Sequence, residues 1–155
     1  MMHLTVLANG LKVASRAIPG VETAAVGLYA DVGSRHEPAP LNGIAHLFEH
    51  MVFKGAGGRS AREISELVES VGGDLNAATD REGTAFYASL LAADLALGVE
   101  LVADLVRRPH FEPKHLATEK KVVLQELAEA RDTPSDLVFE NLQAIAFPAQ
   151  AMGRS

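Results

Sequence analysis

Apolar and polar residues interleave through "HLTVLANGLKVASRAI" on both sides of Asn9-Gly10, the strongest short signal for a two-residue hairpin turn between strands. "ETAAVGLYADVGS" predicts a third strand ending at Gly33, and the prolines of "RHEPAPLNG" make the next stretch a loop. The period then lengthens. Ile44, Leu47, Phe48 and Met51 recur at helical spacing, with Asn42 as the expected cap and the glycines of "KGAGGRS" closing the helix. Ser60 is placed to cap "AREISELVESVG", which Gly72-Gly73 ends. "DLNAATDREGTAFYASLL" predicts two short strands around Asp80 to Gly83, and the remainder is helical: about Ala93 to Arg107, Pro113 to Arg131, and a last helix from Pro134-Ser135. Strands, two helices, strands, then helices predict an α+β fold, a largely antiparallel sheet with helices on one face.

Composition narrows the function classes. At 155 residues, 48% hydrophobic and 22% charged, the chain suits one compact domain with a sizeable core. The net charge of -6 disfavours a nucleic-acid surface. No cysteine is present, which excludes disulfides, thiolate catalysis and Cys-type zinc sites and leaves His, Asp and Glu to hold any metal. The N-terminus lacks signal-peptide layout, and the most apolar run, "LLAADLALGVELVADLV", is interrupted by Asp94, Glu100 and Asp104. The expectation is a cytoplasmic protein with no membrane span.

The chemistry concentrates in "HLFEH". On a helix His46 and His50, four apart, share a face, and Glu49 borders it. Two neutral imidazoles converging on one point can bind zinc, while the carboxylate takes a proton from the water that the metal activates. The order H-x-x-E-H is a zinc-peptidase signature. A single histidine is more often a satisfied structural residue. With 6 His and 13 Glu, the full pattern arises by chance only about 0.02 times per chain, so it carries weight that neither histidine carries alone.

A third ligand is needed. In "HLATEKKVVLQELAEAR" the apolar stripe Leu116, Val123, Leu127 and Ala130, with Val122 beside it, brings Glu119 and Glu126 to the same inward face. Along a straight helix they stand roughly 10 Å apart, so both cannot ligate one ion. One is the ligand; the other supports it, pairs with a buried Arg or Lys, or both simply reach solvent.

Three segments together resemble the pitrilysin-type zinc metallopeptidases, in the branch of the mitochondrial processing peptidase β-subunit and its bacterial relatives. "GIAHLFEHMVFKG" is similar to that family's zinc helix, "VGGDLNAATDREGTAFYASL" to its strand pair, and "TEKKVVLQELAEARDTP" to its third-ligand helix. The resemblance implies a third ligand about 76 residues after the second histidine, which selects Glu126, and a supporting glutamate at Glu119. It implies one Zn2+ per chain held by His46, His50 and Glu126, with Glu49 as general base. It makes Leu75, Asn76 and Ala77 an edge to which an extended peptide adds as a strand.

Family members have two related halves that close over the peptide, and the second half supplies an arginine and a tyrosine to the substrate carbonyl. This sequence stops at "FPAQAMGRS", where relatives continue. The resemblance therefore implies a single N-terminal domain, 1-155, ending before its last strands. Such a piece would keep a competent zinc site but have little or no activity without the other half or a partner subunit, and its open sheet edge would invite homodimerisation. The alternatives are a non-catalytic peptide-binding scaffold on the same fold, or a small-molecule hydrolase using two His and one Glu.

Overall fold

The structure, a computed structural model, describes residues 1–154. β1 (Met2–Val6) and β2 (Lys12–Arg16) form an antiparallel hairpin whose residues are all exposed. Its turn differs from the two-residue form expected at Asn9-Gly10. Residues 8–10 bridge Leu7 and Leu11, Gly10 adopts φ 87°, and the Leu7 carbonyl accepts from the Gly10 amide at 2.9 Å. This is a type I turn closed by a left-handed glycine, the three-residue alternative that an Asn-Gly pair also serves.

β3 (Thr23–Ala30) leads through two 3-10 turns, Ser34–His36 and Ala39–Leu41, into α1 (Ile44–Val52). A two-rung hairpin follows, β4 (Gly55–Ala56) with β5 (Arg59–Ser60), then α2 (Ala61–Ser70). β6 (Asp74–Thr79) and β7 (Thr84–Leu91) complete an antiparallel sheet of order β3-β7-β6. The chain ends in α3 (Leu95–Arg107), preceded by a 3-10 turn at Ala92–Asp94, then α4 (Pro113–Asp132) and α5 (Pro134–Ala146). The fold is the α+β arrangement that the pattern implies.

Register explains why the helices lie on one face. Val26 stands opposite Ala88 and Leu28 opposite Phe86; on the other side of β7, Leu75 faces Ala88 and Ala77 faces Phe86. Alternation puts these residues on one side of the sheet, where they join Val52 of α1, Ile64 of α2 and Val102 and Leu105 of α3 in a single core. Phe86, Leu105 and Val52 are fully enclosed, each burial favourable by about 1.5–3 kcal/mol. On the other face Tyr29 is exposed. β3 and β6 are the sheet's outer strands, so β6 presents the edge expected of residues 75–77.

Two local expectations change. Asn42 does not cap α1: Gly43 is the N-cap, at φ 91° and without a side-chain cap bond. Ile44, expected in the core, is half exposed, and the apolar anchors of α1 are Phe48, Met51 and Val52. Ser60 caps α2 as expected, in a reciprocal capping box: its hydroxyl accepts from the Glu63 amide at 3.3 Å, and the Glu63 carboxylate accepts from the Ser60 amide at 2.7 Å. Gly72, at φ 63°, ends that helix.

Candidate metal centre

The helical stripe opposite the core anchors of α1 carries His46, Glu49 and His50. α4 packs across α1, and its partly buried positions Leu116, Val123, Leu127 and Ala130 turn Glu119 and Glu126 toward those histidines. The two glutamates meet different atoms. Glu126 Oε2 lies 3.4 Å from His50 Nε2 and 3.7 Å from His46 Nε2, while the two Nε2 atoms are 3.2 Å apart. Glu119 Oε2 lies 3.2 Å from His50 Nδ1, on the far side of the ring. The roughly 10 Å between the glutamates is thus spanned by one imidazole.

These distances fit a zinc ion. With metal–ligand bonds of about 2.0–2.1 Å, the edge of a tetrahedron is about 3.3 Å, and the three observed separations bracket it. The proton inventory agrees. An ionised Glu119 can only accept, so His50 Nδ1 donates to it and Nε2, on the opposite side of the ring, is the atom turned to His46 and Glu126. Among the described residues this trio is the one cluster whose ligand atoms converge, all within 4.8 Å of one another.

Glu119 is 5% exposed. Burial alone would raise its pKa, but hydrogen bonds from Lys54 and His50, with the Lys54 charge, hold it below the ordinary carboxylate range. Lys54 Nζ reaches Glu119 Oε1 at 2.9 Å. Sequence reasoning asked for a buried cation beside one glutamate without finding Lys54, which sits in the turn just after α1. Glu49, by contrast, has an enclosed Oε2 with no hydrogen-bond partner among the described residues. A buried carboxylate oxygen without a donor is costly; here it belongs to the one acid on the histidine stripe that neither ligates nor supports a ring.

Leu75 and Ala77 turn into the core while Asn76 is exposed. Asn76 Oδ1 accepts from the Ala77 amide at 2.9 Å. A cavity bordered by His46 and Glu126 runs between the two helices, walled by Leu41, Leu47, Val123 and Leu127, with Arg81 and Arg154 among its polar groups. Glu37, buried beside it, was missed from the sequence. Its carboxylate receives the Gly43 and Ala45 amides at the start of α1.

With this geometry in place, comparison with known proteins is decisive. Residues 12–155 match the family described as insulinase, peptidase family M16. The chain belongs to that family. It is 38% identical over 153 residues to a probable mitochondrial-processing peptidase subunit beta of Arabidopsis thaliana, covering 99% of this chain and 29% of that protein. It is 41% identical over 150 residues to an uncharacterized zinc protease of Mycobacterium tuberculosis, covering 97% of this chain and 34% of that protein. The crystal structure of a protease from Helicobacter pylori superposes with a TM-score of 0.90 at 26% identity, over 99% of this chain and 37% of that one. The M16 chain thus spans about a third of the length of these relatives.

Proposed function

We propose that the chain carries the metal-binding and proton-transfer centre of a zinc metalloendopeptidase. The observation that carries this reading is the convergence of His46 Nε2, His50 Nε2 and Glu126 Oε2 on one point, with the unpartnered Glu49 carboxylate on the same helix. Bound by those three atoms, a zinc ion would supply Lewis acidity, polarising the scissile carbonyl and acidifying water. Glu49 accepts a proton from the attacking water as the C–O bond forms, and returns it to the amine nitrogen as the C–N bond breaks. Glu119 keeps the His50 proton on Nδ1, and Lys54 holds Glu119 ionised and in place.

The substrate is an extended peptide, presequence-like segments included, that adds to the open edge of β6 along Leu75, Asn76 and Ala77. Main-chain pairing of this kind gives affinity with loose sequence preference. The relatives named above are about three times as long. Efficient hydrolysis is accordingly assigned to this centre together with a second half or a partner subunit, and the chain alone is expected to have little activity.

Elemental analysis tests the centre directly. Near one zinc per chain, with clear loss in Glu126→Gln, is the expected result. A folded parent that holds no zinc from supplemented buffer would overturn it and favour the scaffold reading. In an assembly that cleaves a quenched fluorescent peptide, Glu49→Gln should keep the zinc and lose roughly 10²–10⁴ in kcat.

A further inference from the structure

We propose that Glu37 is a positioning residue of the metal centre: its buried carboxylate fixes the first turn of α1 and thereby aims His46. The inference rests on the zinc reading above and extends it to a residue outside the ligand set. A helix leaves its first amides without intrahelical partners, and α1 has no cap of its own, with Gly43 at φ 91° and no acidic residue in its first turn. Glu37 fills that role from outside the helix. Its Oε2 accepts from Gly43 at 2.6 Å and its Oε1 from Ala45 at 2.7 Å, and the residue is 6% exposed. A carboxylate there also complements the positive end of the helix dipole.

Glu37 is itself held on both sides. Its amide donates to Ser34 O at 3.2 Å, and its carbonyl accepts from Arg154 Nη1 at 2.8 Å. The 3-10 turn before it is stitched to the β6–β7 turn, Ser34 donating to Asp80 O at 3.3 Å and Arg35 to Arg81 O at 2.9 Å. Gly33 permits the approach, since a Cβ there would lie 2.5 Å from Asp80 O. Pro38 and Pro40 stiffen the strap that follows. A continuous set of contacts therefore runs from the end of the peptide-edge strand, through Glu37, to the residue just before His46.

The two histidines depend on this strap unequally. His50 has an 18% exposed side chain and is gripped by Glu119 on its far nitrogen. The His46 side chain is 42% exposed, and the polar contacts described for it are those with the other two ligands. Its direction is set by the backbone at the start of α1, and Glu37 sets that backbone.

The test compares Glu37→Gln and Glu37→Asp with Ser60→Ala, which removes a helix cap of the same kind from α2, away from the metal. Glu37→Gln keeps the volume but has one acceptor oxygen for two amides; Glu37→Asp keeps the charge but is too short to reach both. Zinc affinity is measured by chelator competition, thermal stability on metal-free protein, and ligand geometry from the cobalt d–d spectrum. Glu37→Gln should weaken zinc roughly tenfold to a hundredfold and move the cobalt spectrum toward that of His46→Ala. Glu37→Asp should fall between Glu37→Gln and the parent, and Ser60→Ala should lose stability with affinity unchanged. If the parent binds metal and both Glu37 variants stay within twofold of it with the parent spectrum, the positioning role is wrong and the zinc reading stands. A folded parent that binds neither zinc nor cobalt would remove both.

Discussion

Two buried carboxylates on successive helices of the chain, Glu119 on α4 and Asp104 on α3, solve the same electrostatic problem with different consequences. Both are about 5% exposed, and both are paired with cations. Asp104 is closed by guanidiniums: Arg59 Nη1 at 3.2 Å, and Arg108 Nε at 2.9 Å and Nη2 at 2.5 Å. Gly57, at φ 61°, crosses so close that a Cβ would meet Asp104 Oδ2 at 1.7 Å. With guanidiniums from β5 and from the end of α3 on its two oxygens, Asp104 pins the β4–β5 hairpin to α3. Glu119 spends one oxygen on Lys54 and the other on a histidine whose opposite nitrogen still faces outward to two further ligand atoms. Beyond Asp104 the network leads only to another surface acid, Arg59 donating to Glu100 at 2.6 Å, whereas beyond Glu119 it leads through His50 to His46 and Glu126.

The largest expected effect would break the structural side of that comparison. Asp104→Ala leaves Arg108 without its counter-ion and Arg59 with Glu100 alone, and should lower stability by about 3 kcal/mol, the lower end for a broken buried pair, because both guanidiniums reach water. Thermal unfolding measures it, and zinc affinity of the folded fraction should not move. Chelation comes next: stripping zinc should lower the Tm of the parent, by about 2.7 kcal/mol equivalent at a zinc concentration a hundred times Kd. Asp104→Ala should show the same increment, and Glu126→Gln should show almost none.

Glu119→Gln sharpens the functional side. It is expected to weaken zinc roughly tenfold to a hundredfold, about 1.4–2.7 kcal/mol, while costing less stability than Asp104→Ala. Equal effects of the two acids on zinc would erase the distinction. Lys54→Met should be the mildest, a few-fold loss of zinc affinity. The ammonium is a third exposed and touches Glu119, not the ring, so titrating zinc into this variant gauges how far the polarisation carries.

Much of this was legible in the sequence wherever the signal is local. The capping box at Ser60 and Glu63 spans one turn, so it reads directly. The ligand pair in "HLFEH" is legible because four residues make about one helical turn. Glu119 and Glu126 could be placed on the inner face of α4 by the apolar stripe, yet which one met both histidine Nε2 atoms could not be, since both satisfy the same periodicity. Resemblance assigned Glu126, and the docking of α4 on α1 places its carboxylate against both Nε2 atoms. Asn42 failed as a cap because a cap is chosen by geometry as well as residue type: Gly43 takes the left-handed conformation, and Glu37, from outside the helix, supplies the acceptors.

What the sequence by itself determined is therefore everything set by spacing along the chain: the strand and helix order, the face shared by His46, Glu49 and His50, the cap of α2, and the alternation that buries Phe86, Ala88 and Leu90. Packing between elements chose which glutamate meets which nitrogen, set Lys54 behind Glu119, and brought Glu37 to the first amides of α1. The physical reason is one of range. Backbone periodicity fixes directions within an element to a fraction of a turn, whereas contacts between elements depend on how packed surfaces slide and rotate against each other. A slide of α4 by two helical turns, roughly 10 Å, would bring one glutamate to the position the other holds without altering any local pattern.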